Sequence, residues 1–185
     1  MAGDVRERMI SGAVRLLARQ GLQGTSFAEV LQLTGAPRGS VYHHFPGGKD
    51  QLVAAAVDAA GGQALTILDG LAGAPADQVA ETFLGLWRLL LQRTDCTMGC
   101  AVLAVTVATG SPELLDKAAA VFRTWRTRLA DLLDQGGLPG AAGHAVTLVA
   151  AAEGAVVLSR AERSIEPFDA VAAQLLGQLR QSMTR

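Results

Sequence analysis

The stretch from Thr25 to Leu52, TSFAEVLQLTGAPRGSVYHHFPGGKDQL, constrains this chain more than any other part of it. Ser26 and Glu29 stand at capping-box spacing, which starts a helix at Phe27. Phe27, Val30 and Leu31 then give that helix one apolar face. Thr34-Gly35 ends it, because glycine enters the left-handed region at little cost. Pro37 has its φ preset for the first turn of a second helix, which runs from Arg38 to His44. Val41 is the only aliphatic residue in that helix, so it is the inward anchor and the other side chains can point outward as donors and acceptors. Phe45-Pro46-Gly47-Gly48 closes the helix and Lys49 opens another. Two short helices across a tight turn, the second polar on most of its surface, have the layout of a helix-turn-helix that enters DNA.

The run from Gly35 through Gly39, Ser40, Val41, Tyr42, His43, His44 and Phe45, followed by Lys49 and Leu52, resembles the DNA-binding signature of the tetracycline-repressor (TetR) family of bacterial regulators. Val5 to Gln20, ending in Gly21, is similar to the family's first helix. The resemblance implies an all-α fold of roughly nine helices. Residues 1–48 are then a DNA-binding domain and 49–185 a ligand-binding and dimerisation domain. Tyr42 and Lys49 become contacts to the DNA backbone. In the body, Cys96-Thr-Met-Gly-Cys100 and Glu153-Gly-Ala-Val-Val-Leu-Ser-Arg160 look like the branch that contains lincomycin-resistance-type repressors.

The chemistry of the second helix fits that expectation. Arg38 can reach guanine O6 and N7 in a major groove, and Ser40 or His43 can read a base edge or a phosphate. Gly39 lets the helix approach the duplex closely. Thr25 and His44 complete the candidate set. His43 and His44 are adjacent, so they point about 100° apart on a helix and do not form a metal pair.

The formal net charge of −1 appears unhelpful for DNA binding, but its distribution matters more. Residues 1–50 hold six basic against four acidic groups, and the other 135 hold ten against thirteen. A mildly basic head suits phosphate contact. Aromatics at 4% argue against a single-strand stacking platform. No membrane span is expected, the N-terminus lacks a secretory pattern, and two cysteines make no disulfide framework. The cytoplasm is the expected compartment.

The rest reads helical, with no convincing strand run. Lys49 to about Leu71 is one helix, weakened at Gly61-Gly62 where it is expected to bend. Ala76–Arg93 is amphipathic. Cys96–Gly110 is short and apolar, and is read as a buried central helix. Ser111-Pro112 starts a helix that reaches about Gln135. Further helices run from Leu138-Pro139 to about Arg163 and from Pro167 to about Met183.

Phe83, Trp87, Met98, Val102, Thr106, Phe122 and Trp125 come from three body helices and are candidates for an apolar ligand pocket, with plain core as the alternative. Glu153 lies in an otherwise apolar helix, where a charge is costly unless partnered. It meets a ligand, pairs with an Arg across a subunit boundary, or reaches water. Cys96 and Cys100, at i, i+4, share a helical face if both are helical, which leaves open a thiol sensor or simply two small lining residues. No Lys, Arg or His sits beside Cys100 to activate it.

Leu148, Ala152, Ala155 and Ser159 mark one face of the penultimate helix, and Phe168, Val171, Leu175 and Leu179 one face of the last. Such faces suit a four-helix bundle across a two-fold axis. The expected protein is a homodimeric repressor that binds double-stranded operator DNA and is released by a small apolar or aromatic effector. It is expected to need no cofactor and no metal and to have no enzymatic activity. The alternatives are a redox regulator working through Cys96 and Cys100, and a helical carrier or enzyme with a vestigial head.

Overall fold

The computed structural model describes residues 2–184, and nine α-helices lie among them, with no strand. They are α1 (Ala2–Gln20), α2 (Phe27–Thr34), α3 (Ser40–His44), α4 (Gly48–Asp69), α5 (Ala76–Arg93), α6 (Ala101–Ala108), α7 (Pro112–Gln135), α8 (Ala141–Glu162) and α9 (Glu166–Met183). The contacts divide the chain into two compact units, one of Met1–Gln63 with Cys100–Val121 and one of Ala64–Gly99 with Phe122–Arg185. The sequence placed a boundary after residue 48. By contact, α4 as far as Gln63 groups with the N-terminal helices, and so does α6, which packs on α1.

In the first unit Met9, Ala13 and Leu17 of α1 meet α2 and α6 in a core that also buries Val30, Val41, Phe45 and Val102. Gly12 permits the close approach of α1 to α2, since a Cβ there would lie 2.5 Å from Thr34 Cγ2. α4 runs unbroken through Gly61-Gly62. Gly61 is buried against Val121, whose Cγ1 would stand 2.8 Å from an added Cβ. A tight approach between helices accounts for that glycine.

In the second unit α5, α8 and α9 pack pairwise around Val79, Phe83, Leu129, Leu133, Leu148, Val156, Phe168 and Leu179, all nearly or fully buried. Each such side chain contributes about 1.5–3 kcal/mol on leaving water. Ser159 Oγ accepts the amide of Phe168 at 3.1 Å, which fastens the start of α9 to α8. Arg88 holds Asp169 with two hydrogen bonds, at 2.7 and 3.0 Å, and Arg180 pairs with Glu81, both between α5 and α9. These pairs are half exposed, so they set register more than they add stability.

Two expectations change here. The helix read over Cys96–Gly110 is confined to Ala101–Ala108. Asp95 and Cys96 have φ of 49° and 54°, left-handed values that no α-helix continues through. Nor is the helix wholly buried, since Val107 is 75% exposed. The recognition helix is likewise shorter than Arg38–His44. Pro37 to Ser40 is a single turn, with Ser40 N donating to Pro37 O at 3.0 Å, and helix begins at Ser40.

By length and composition α4 and α8 are long and apolar enough to cross a membrane. In α8 the cause is visible. Ala145, Leu148, Val149, Ala152, Ala155 and Val156 are spent on the core, and Val146, Ala150, Gly154, Val157 and Leu158 face outward. The helix is apolar on both sides, and it carries the buried Glu153 at its middle.

Candidate nucleic-acid interface

The interface is built on α2 and α3. Ser26 caps α2, with its Oγ accepting Glu29 N at 3.2 Å while Glu29 Oε2 accepts Ser26 N at 3.0 Å. Gly35, at φ 65°, closes the helix by donating to Leu31 O at 2.9 Å. Two buried side chains, Val41 at 3% and Phe45 at 1% exposed, seat α3. The Arg6 guanidinium lies over the Phe45 ring, 5.7 Å from its centroid. Met9 Sδ lies 3.9 Å from Ser40 Oγ. α1 therefore braces both ends of the short helix.

What remains on the outside of α3 is polar. Tyr42 is 81% exposed, an unusual position for an aromatic ring that no partner covers within the chain. Arg38, Gly39 and His43 are exposed, and Ser40 and His44 are partly buried. The rings of His43 and His44 stand edge to face with centroids 4.9 Å apart. Arg38 and Tyr42 border a groove of about 620 Å³ whose far wall is the outer face of α2, including Gln32. Gln32 is exposed and was missed in the sequence, where nothing distinguishes it from any other polar helix position. A glutamine can read adenine N6 and N7 in a bidentate manner, so it belongs in the candidate set.

Two expected contacts turn out to hold the scaffold. Thr25 is 1% exposed and its hydroxyl donates to Gly21 O at 2.9 Å. It has no surface to offer DNA, because the turn between α1 and α2 folds over it. Lys49 Nζ donates to Leu22 O at 2.9 Å, tying the start of α4 to that same turn.

In the body, Trp87 and Trp125 meet edge to face at 6.2 Å, and Phe122 meets Trp125 in the same way at 5.6 Å. Three of the seven aromatic and apolar pocket candidates are thus drawn into one cluster on α5 and α7. Phe83 and Trp125 are buried at 2%, and Trp87, Met98 and Phe122 are partly buried. Val102 and Thr106 lie on α6 in the other unit, Val102 fully buried and Thr106 Oγ1 bonded to Val102 O at 2.9 Å. Glu153 is 7% exposed, which removes the reading in which it reaches water.

The face chosen in the sequence for a partner subunit is used inside the chain. Leu148, Ala152, Ala155, Ser159, Phe168 and Leu179 are all at most 2% exposed, and Val171 and Leu175 pack against the same core. The outward stripe of α8 is the other one, with Val146 at 46% and Val157 and Leu158 at 49% exposed. The cysteines do not share a helical face either. Cys96 sits in a left-handed turn and Cys100 is the N-cap of α6, its Sγ accepting Leu103 N at 3.4 Å. Both are buried.

A braced helix-turn-helix with an exposed polar second helix, on an all-α chain, defines a DNA-binding regulator. Residues 9–56 match the model for bacterial regulatory proteins of the TetR family. Residues 75–174 match that for the C-terminal domain of LmrA/YxaF-like transcriptional regulators. An HTH-type transcriptional regulator of Mycobacterium tuberculosis is 35% identical over 179 residues, covering 92% of this chain and 91% of that protein. The HTH-type transcriptional regulator LmrA of Bacillus subtilis is 31% identical over 173 residues, covering 90% and 92%. A TetR transcriptional regulator from Chloroflexus aurantiacus superposes with a TM-score of 0.80 at 26% identity, covering 98% of this chain and 96% of that one. The chain belongs to the TetR family of transcriptional regulators, in its LmrA/YxaF-like branch. Regulators of this family bind operator DNA and act as dimers.

Proposed function

We propose that this protein is an effector-responsive repressor acting in the cytoplasm. Two copies associate through the outward stripe of α8 and hold one operator. A small, largely apolar and aromatic molecule bound in the body releases it. The observation that carries the DNA reading is the outside of α3. Tyr42 and His43 are exposed on a helix whose one fully buried side chain is Val41, and Arg38 is exposed in the turn that leads into it. Arg38 and Gln32 read base edges in this arrangement. Tyr42 and His43 contact backbone or base edges. Lys49 holds α4 to the head through Leu22 and has two further N–H donors for a phosphate.

The effector reading rests on the Trp87–Trp125–Phe122 cluster, in a chain where aromatics make up 4%. Rings set edge to face leave ring faces that give a flat ligand both area and stacking surface. Binding lowers operator affinity to the extent that the ligand prefers a head spacing other than the roughly 34–36 Å between successive major grooves.

The test is binding to the DNA upstream of the protein's own gene. Wild-type protein binds with a steep salt dependence. Arg38→Ala weakens binding by about 5- to 150-fold, the equivalent of one bidentate base contact. Wild-type protein that shows no salt-dependent preference for that DNA over a random fragment overturns the reading.

A further inference from the structure

α2 carries more apolar surface than the core of the head uses. Val30 is its one buried residue. Phe27 and Leu31 stay partly exposed, and Ala28 is exposed. At about 100° per residue these three share one side of the helix. Together they wall the groove of about 620 Å³ that Arg38 and Tyr42 border on its other side. Its floor is Ala36 and Val41, 7% and 3% exposed. Gln32, Arg38 and Tyr42 supply every polar side-chain group of the lining, so the α2 wall near its first turn is carbon alone.

A duplex seated on α3 presents base edges to that wall. In the major groove guanine, adenine and cytosine offer nitrogen and oxygen groups, and thymine alone adds a methyl group. A polar edge pressed against side chains that neither donate nor accept gives up its bonds to water for nothing. A methyl group pressed there leaves water at a gain. Alanine and phenylalanine are ordinary partners of that methyl. The groove is also continuous with the rest of the interface, because Arg38 and Tyr42 belong to both.

We propose that the groove between α2 and α3 is a thymine-methyl subsite: Phe27, Ala28 and Leu31 receive the C5 methyl of a thymine beside the base that Arg38 reads. This rests on the operator-binding reading above and adds to it one base requirement in each half-site.

The test compares the DNA upstream of the protein's own gene with the same fragment built with uracil in place of thymine. That exchange removes the C5 methyl and leaves the pairing groups in place. Wild-type protein binds the uracil fragment about fourfold more weakly per half-site, the worth of one buried carbon group, and about 15-fold more weakly as a dimer on two half-sites. Ala28→Gln puts a polar chain into the groove from an exposed helix position, where a good helix former is tolerated. That variant binds the thymine fragment more weakly than wild type and no longer separates the two fragments. The wild-type comparison stands whether or not the variant folds. Equal wild-type affinity for the two fragments overturns the subsite. So does a folded Ala28→Gln protein that prefers thymine as strongly as wild type, since the methyl is then read elsewhere. Wild-type protein with no salt-dependent preference for the upstream fragment over a random one overturns the operator reading, and the subsite with it.

Discussion

Gly154 separates what α8 does inside the chain from what it does toward a partner. It is exposed, at the middle of the outward stripe, and an added Cβ would meet nothing within 4 Å. Within one chain, Gly154→Glu should therefore stabilise, because an interior helix glycine is worse than an ordinary residue by roughly 0.5–1 kcal/mol. Across a two-fold axis the effect reverses. The substitution counts twice, and crowding a packed contact costs about 1–3 kcal/mol each time. That makes roughly 2–6 kcal/mol for the dimer, before the desolvation and mutual repulsion of two carboxylates. The dimer dissociation constant should rise by at least about 30-fold, at tenfold per 1.4 kcal/mol. Sedimentation velocity across a concentration series measures it, with thermal unfolding at low concentration as the control. A variant that dimerises as tightly as wild type removes the α8 stripe from the interface. Leu148→Ala is the contrast. Leu148 is 2% exposed inside the core, so that substitution lowers stability by about 2–5 kcal/mol.

Lys49→Met keeps the side-chain stem and removes the donor to Leu22 O. It should cost about 1–2 kcal/mol of stability for a half-buried charged hydrogen bond. If the same Nζ also meets a phosphate, the slope of log affinity against log salt falls by about 0.9. Unchanged stability would refute the clamp. Trp87→Ala should open the aromatic cluster and reduce the quenching of Trp125 fluorescence by aromatic lipophilic compounds, and an undiminished response places the ligand elsewhere. The Arg88 guanidinium, hydrogen-bonded to Asp169, holds that carboxyl below its ordinary value. A lowered folded-state pKa contributes stability that is present above the ordinary carboxylate range and is lost as pH falls through the lowered value. Asp169→Asn should therefore melt below wild type at neutral pH, with the gap closing toward pH 3. A gap that widens on acidification contradicts the assignment.

Much of the interface was legible because its determinants are local. The capping box at Ser26 and Glu29 and the left-handed Gly35 act within a few residues, and each does in the fold what its spacing implied. Tyr42 and His43 were legible as outward because Val41 leaves α3 a single inward direction, whereas Arg38 is exposed in the turn before the helix rather than on it. Thr25 was misread because a buried hydroxyl and an exposed one look alike in a sequence. Its burial is decided by the turn at Gly21, which returns the chain over it. The cysteine pair was misread because i, i+4 spacing has meaning only inside a helix, and two left-handed residues end the helical path before Cys100.

The sequence by itself determined the helices, the turn chemistry of the DNA-binding motif and, through that motif, the family. These follow from interactions a few residues long. Only the tertiary structure decided which side of α8 faces inward. That helix is apolar almost all round, so its pattern carries no direction, and the choice fell to whichever face α5 and α9 could cover. It also decided that Gly99 lies under Arg160, two residues sixty-one positions apart, since such a contact exists only once α8 has been packed into place.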